Sequence, residues 1–356
     1  MKILLLTPRG DETLGVVGNF CEKALGNLGH EVATIDFRAN PFFWSRAISF
    51  LKKKGQRRSL LPPSIDNIAR VQSLKDDKIN SLVLENVKRY NPEIVLVLMG
   101  ENIFAQTVRK IREKGIVCVN WMLDTIFVPG RAEFLKLMQG VYDRIFIVDS
   151  TDILPHAGVA QDGSIATLPL ACFPAVHRRL NLSEKELRFY GSEVAFVGTV
   201  TLPRQRILES LSEFNLKIWG RWKQESPILK RYYQGQDVYA QEAVKIYNAS
   251  KIIIDIHGFF ESGKVMHNVT PRVFEVPACG GFLLTNDICQ LRTFYKVGEE
   301  MIVYRDIAEL KRLIRYYLDH PAQRQVIANV GHEMAHQHTY AQRLEQLLAI
   351  SREGRE

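Results

Sequence analysis

The feature that most constrains this chain is an alternation of short apolar runs with amphipathic segments, gone through twice. Residues 2–7 (KILLLT), 32–37, 93–99 (EIVLVLM), 116–120 and 144–148 are too short for core helices and too continuously apolar for half-exposed strands. They read as strands buried on both faces of a parallel sheet. Helical spacing fills the intervals at 11–28, 65–90, 103–114 and 132–138. After a stretch of little periodicity at 169–183 the pattern begins again. Strands at 194–197, 216–219, 251–256, 282–284 and 301–304 alternate with helices at 205–214, 240–248, 288–295, 307–318 and 321–334. Strands alternating with helices over this length predict doubly wound parallel sheets, one in each half.

The expected organisation is a first Rossmann-like domain at 1–172, a linker at 173–190 and a second Rossmann-like domain at 191–338. A closing helical segment at 339–356 can return to the first domain. A chain of 356 residues suits two domains, each with its own core. The entry to the first helix carries Gly15 and Gly18 as GVVG, without the GxGxxG fingerprint of a dinucleotide site.

Composition narrows the partners. The formal net charge of +8 favours anionic ligands, though much of the excess is local to Lys52, Lys53, Lys54, Arg57 and Arg58. That run follows the apolar segment 41–51 (PFFWSRAISFL), a pairing expected to allow peripheral contact with an anionic membrane face. No zinc-finger spacing, helix-turn-helix or RNP-like strand is present, so nucleic acid is not an expected partner. Five cysteines (Cys21, Cys118, Cys172, Cys279, Cys289) without CxxC spacing predict reduced thiols. The apolar run at the N-terminus is too short for a signal peptide, and no apolar segment approaches membrane-spanning length, so a cytoplasmic location is expected.

Ligands of open α/β sheets gather at the carboxyl ends of the strands. Arg9, Gly100, Glu101, Trp121, Asp124 and Asp149 fall at such ends in the first half. In the second half the most informative stretch is 267–286, HNVTPRVFEVPACGGFLLTN. Thr270 followed by Pro271 reads as an N-cap and first helical position, a place suited to anions. Arg272 in the first turn opposes the helix dipole and is better explained by a phosphate or carboxylate nearby. Glu275 lies one turn on, among Val273, Phe274 and Val276. His257 and His267 occupy loop positions, with a side chain that titrates near neutrality. His332, His336 and His338 lack the carboxylate of an HExxH site, and no metal is expected.

Several spaced blocks in the second half carry a resemblance. Residues 247–251 (YNASK), 270–275 (TPRVFE), 278–280 (ACG) and 282–285 (FLLT), then Pro321, Arg324, Gly331 and 338–340 (HTY), resemble the glycosyltransferase domain of the spore maturation protein CgeB family. The resemblance spans roughly 193–347. It implies the GT-B architecture, two Rossmann-like domains facing across a cleft. It implies a metal-independent glycosyltransferase that takes a sugar from a nucleotide-diphosphate donor to a glycan, protein, lipid or small-molecule acceptor. No cofactor is expected beyond that donor. The second domain would bind the donor and the first the acceptor.

Residue by residue, the resemblance places Glu275 at the second position of a Glu-x7-Glu pair, on the ribose hydroxyls. The first position falls on His267, a departure that removes a sugar-contacting carboxylate. Arg272, Thr199 and Arg204 would contact the diphosphate, and Asn268 and Thr270 are further candidates for binding the nucleotide sugar. Asp124, His267 and His257 are the candidates for acid–base work at the acceptor hydroxyl. A nucleotide-sugar epimerase of the same fold, and a non-catalytic sugar-nucleotide-binding protein, are the alternatives.

Overall fold

The computed structural model describes residues 1–8, 14–37, 65–222, 226–235, 238, 240–257 and 268–352. The expected segment 41–51, the basic run from Lys52 to Arg58, Arg9 and His267 lie outside them. By compactness the chain divides into two units. One comprises Met1–Ile147, Leu154–Ala166 and Leu347–Glu356; the other comprises Val148–Ile153 and Thr167–Gln346.

The first unit holds β1 (Lys2–Thr7), α1 (Leu14–Asn27), β2 (Glu31–Asp36), α2 (Ile65–Tyr90), β3 (Ile94–Leu98), α3 (Ala105–Arg112), β4 (Val117–Met122), α4 (Arg131–Met138), β5 (Arg144–Ile147) and β6 (Ile165–Thr167). They form a six-stranded sheet ordered β2-β1-β3-β4-β5-β6. The pairings from β2 to β5 are parallel. Every residue of β3 and β4 is buried, which is why β3 shows as an unbroken apolar run and β4 as one broken only by Asn120. Trp121, expected in a loop, is instead inside β4 and fully buried, because pairing with Leu98 extends that strand.

The second unit begins its regular structure with α5 (Glu184–Tyr190), which falls within the expected linker. Ser183 and Glu186 close a capping box there, so a helix forms where apolar periodicity is absent. There follow β7 (Val194–Val197), α6 (Leu202–Ser210), β8 (Leu216–Trp219), α7 (Gln241–Ala249), β9 (Ile252–Ile254), α8 (Arg272–Ala278), β10 (Leu283–Asn286), β11 (Ile302–Tyr304), α9 (Ile307–Asp319), α10 (Pro321–Ala335) and α11 (Tyr340–Ile350). The expected helix at 288–295 shortens to a 3-10 helix, Cys289–Thr293.

The second sheet runs β11-β10-β9-β7-β8, all parallel. Alternate residues of its strands feed opposite faces. Ala195, Val197, Ile253 and Leu283 enter one apolar cluster with α7 and α8, while Val194, Phe196, Ile252 and Leu284 enter another with α6 and α9. The edge strand β8 is covered at its centre: Ile218 N–H donates to Tyr232 O at 3.0 Å and Gln234 N–H to Ile218 O at 3.0 Å. Among the described residues no helix is long and apolar enough to cross a membrane.

Counted from its own first strand, each sheet has the order 2-1-3-4-5, with a sixth strand added in the first unit. The direction in which successive strands are added therefore reverses between first and third strands, β1/β3 in one sheet and β7/β9 in the other. A crevice opens at the carboxyl ends of such strand pairs. At the β7 end two glycines make the close approach possible. Gly198 has φ +150° and Gly220 φ +116°, and a Cβ on Gly220 would stand 2.4 Å from the Gly198 carbonyl oxygen. A Gly220→Ala substitution is expected to destabilise the chain by about 2 to 3 kcal/mol through strain and backbone collision, measured by urea unfolding.

Candidate functional site

The β7/β9 crevice is built around one carboxylate. Asp255, directly after β9, is fully buried. Its Oδ2 accepts hydroxyl protons from Thr270 at 2.7 Å and Thr285 at 3.2 Å. Its Oδ1 lies 3.5 Å from Nε of Arg272. That contact is an ion pair, since the Arg272 Nε–H is donated to the Val197 carbonyl at 2.9 Å. The Tyr304 hydroxyl donates to the Asp255 carbonyl at 2.7 Å, which fixes the backbone beneath the side chain.

A second guanidinium spans the crevice. Arg204, in the first turn of α6, donates from Nε to the Ile256 carbonyl at 2.8 Å and from Nη1 to the Thr199 carbonyl at 2.9 Å. It thus joins the backbone that leaves β7 to the backbone that leaves β9. Burial and the neighbouring Arg272 charge bring its pKa down to about 10, with partial relief from Asp255 and Tyr304. Burial also acts against the charged form of Arg272, but Asp255, then Tyr247 and Glu275, outweigh it and hold that guanidinium protonated above its ordinary value. Among the described residues Asp255 is the only carboxylate in ion-pair contact with either group. Two cations against one anion leave the crevice with a surplus positive charge in a low-dielectric setting, where such a surplus attracts an anion strongly.

The remaining expected residues divide into groups. Asn268 hydrogen-bonds the His257 side chain, while the His257 N–H donates to Asn286 Oδ1 at 2.6 Å. Burial lowers the His257 pKa, partly offset by Asp255 and Asn268, so its neutral form prevails at pH 7. Thr270 does not cap α8. Pro271 holds the cap position, and the Thr270 hydroxyl turns to Asp255, a stronger charged acceptor. The N–H groups of Val273, Phe274 and Glu275 are already taken by the carbonyls of Thr270 and Pro271, so the helix start offers fewer free donors than the sequence implied.

Around the ends of β7 and β9 these residues form three adjoining groups: Arg204 with the Thr199 and Ile256 carbonyls, Asp255 with Thr270 and Arg272, and His257 with Asn268 and Asn286. Glu275 lies one turn further along α8. Its Oε1 is 3.9 Å from Nε2 of His177, beyond hydrogen-bond length. His177 Nδ1 accepts the Phe173 N–H at 2.9 Å, so neutral His177 carries its proton on Nε2, toward Glu275. Burial lowers the His177 pKa, with Glu275 in opposition. Asp124 belongs to the other unit. Its Oδ1 accepts the Thr125 N–H at 2.8 Å and its Oδ2 meets Arg131 at 2.9 Å.

Sequence reading missed Asp255, Thr285, Asn286, Tyr304 and His177. The signal for Asp255 was present, a single carboxylate inside KIIIDI at the end of a central strand. His177 sat in a stretch without periodicity and gave none.

Residues 204–349 match a family described as "Glycosyl transferase-like". No curated protein matches the sequence. Among solved structures, sucrose-phosphate synthase from Thermosynechococcus elongatus is similar in fold, with TM-score 0.67 at 12% identity over 98% of each chain. Anabaena Alr3699/HepE, solved with UDP and glucose, gives 0.66 at 11% identity over 98% of this chain and 99% of that one. A putative UDP-N-acetylglucosamine 2-epimerase from Listeria monocytogenes gives 0.54 at 13% identity over 97% and 94%. The fold of this chain is GT-B-like, with parallel sheets of six and five strands.

Removing Asp255 as Asp255→Ala leaves Arg272 and Arg204 facing each other in a buried site. The expected loss is about 3 to 5 kcal/mol in urea unfolding, the usual cost of stripping the partner from a buried charge. The buried histidines predict an acid limb. His177, His257 and His338 all have folded-state pKa values below 6.5, His338 at about 4 through burial and Arg343. As pH falls below 6.5 the unfolded chain takes up protons that the folded chain does not, so stability drops progressively toward pH 4. Thermal unfolding from pH 7.5 to 4.5 should show this decline, and His338→Gln should flatten it.

Proposed function

We propose that this chain is a glycosyltransferase that uses a nucleotide-diphosphate sugar, bound by residues 191–338, and takes its acceptor on residues 1–172. The observation that carries the reading is the Arg204–Arg272 pair, opposed by one carboxylate at the switch point of the second sheet. Cleavage at an anomeric carbon leaves a nucleoside diphosphate with an added negative charge. Fixed guanidinium groups aimed at that charge lower the barrier without reorganising at the moment of reaction. In this role they supply the neutralisation that a divalent metal supplies elsewhere. The match of 204–349 to a glycosyltransferase-like family supports the reading, and so does the fold shared with a protein solved with UDP and glucose.

Thr199, Asn268 and Thr270 would line the diphosphate beside the two arginines. Glu275, part-open to solvent one turn beyond Arg272, suits a ribose diol, which a carboxylate binds through two hydroxyl donors. Neutral His257 can accept a proton. Asp124, oriented by Arg131, is a carboxylate base for an acceptor hydroxyl. His267 replaces the carboxylate that the resemblance leads one to expect, which would change how the sugar is held.

The fold similarity to the putative 2-epimerase supports a second reading, an epimerase that needs no acceptor. Incubation with a nucleotide sugar alone, followed by NMR of the sugar, separates the two, since only the epimerase yields a new stereoisomer. Calorimetric titration with UDP, GDP, ADP and TDP sugars tests the donor site. Wild type is expected to bind at least one of them, and the absence of heat with all four would refute the proposal. Arg272→Ala and Glu275→Ala should each weaken that binding about tenfold or more, the loss of one charge-assisted contact; Glu275→Ala should leave stability near wild type, whereas Arg272→Ala, which strips buried Asp255 of its cation, should also lower the urea midpoint.

A further inference from the structure

We infer that Gln290 is a positioning residue for the anion site, a clamp that sets the loop carrying Asn268 and Thr270; the inference rests on the donor-site reading above. Gln290 stands in the 3-10 helix after β10, where Cys289 is exposed while Gln290 is turned inward at 7% exposure. Its neighbours there, Ile288, Leu291 and Tyr295, belong to the apolar core. A buried amide in such a place is costly unless both ends are satisfied, and a methionine would fill the same volume without that cost. Both ends are satisfied. Oε1 accepts the Val269 N–H at 2.8 Å, and Nε2 donates to the Val148 carbonyl at 3.0 Å.

Val269 lies between the two residues whose side chains build the site. Asn268 holds the His257 ring, and Thr270 donates to Asp255, the partner of Arg272. Fixing the peptide between them fixes both side chains at once. Val148, at the other end of the amide, opens the segment Val148–Ile153, which belongs to the same compact unit. Among the described residues these two backbone groups meet only through Gln290. The amide supplies one bond that the loop lacks in its own backbone, and its removal frees Val269 without emptying the core.

The test uses Gln290→Met and Gln290→Glu in the full chain, with UDP as probe and exchange of the Val269 amide as a second readout. The methionine variant keeps side-chain volume and loses both bonds. It is expected to bind UDP about tenfold more weakly and to exchange Val269 at least about tenfold faster. The glutamate variant keeps an acceptor for Val269 but loses the donor to the Val148 carbonyl and buries a carboxyl group against it, so it should also bind UDP about tenfold more weakly. In an Arg272→Ala background the methionine change should cost no further affinity, because the clamp acts through the same site. Unchanged UDP affinity or unchanged Val269 exchange in Gln290→Met would overturn the inference. If wild type binds no nucleotide the donor-site reading fails, and the Val269 exchange comparison still decides whether the clamp exists.

Discussion

The arrangement of the second unit depends on the buried carboxylate of Asp255. Two threonine hydroxyls, a guanidinium at ion-pair distance and a tyrosine on its own carbonyl all converge there. Burying a charge is unfavourable unless it is paired and hydrogen-bonded. Here the partners are four residues from three stretches of chain, Thr270 and Arg272, Thr285, and Tyr304, and Arg272 also bonds Val197, so the ends of β7, β9, β10 and β11 and the start of α8 are held to one geometry. Arg272 then has a fixed place, and Arg204 is set beside it by two carbonyls instead of by a second acid. Within ion-pair distance the two guanidinium groups are thus opposed by Asp255 alone among the described residues.

Much of the fold was legible in the sequence because parallel strands buried on both sides leave a plain trace. KILLLT and EIVLVLM contain no polar interruption, and both became strands within a residue or two of the expected limits. The helix at 65–90 was equally clear. Boundaries failed where a tertiary contact outcompeted a local one. Thr270 has the right chemistry for an N-cap, yet its hydroxyl serves Asp255 across the sheet, and Pro271 takes the cap position. The helix expected at 288–295 is cut to a short 3-10 turn, which aims Gln290 inward.

The site was half legible for the same reason. Arg272, Thr270, Asn268 and Glu275 sit in one short stretch and could be read as a group. Asp255 stands at the far start of the same β9–α8 connection and Arg204 comes from the β7–α6 connection, and only the strand order 2-1-3-4-5 places them at one crevice. His177 approaches from a segment with no repeating pattern, and its neutral tautomer follows from a backbone N–H four residues earlier. Composition and periodicity speak of layers; they are silent on which loops from different layers share a charge.

The covering of β8 by Tyr232 and Gln234 bears on the behaviour of the protein at high concentration. An open edge of a five-stranded sheet would present a row of unsatisfied donors and acceptors to another molecule. Here Ile218, at the middle of the four-residue strand, has both backbone groups bonded within its own chain. Too little of the strand is left to template a neighbour. The edge is closed to strand-on-strand polymerisation by the polypeptide itself, and the molecule needs no charged guard residue on β8 for that purpose.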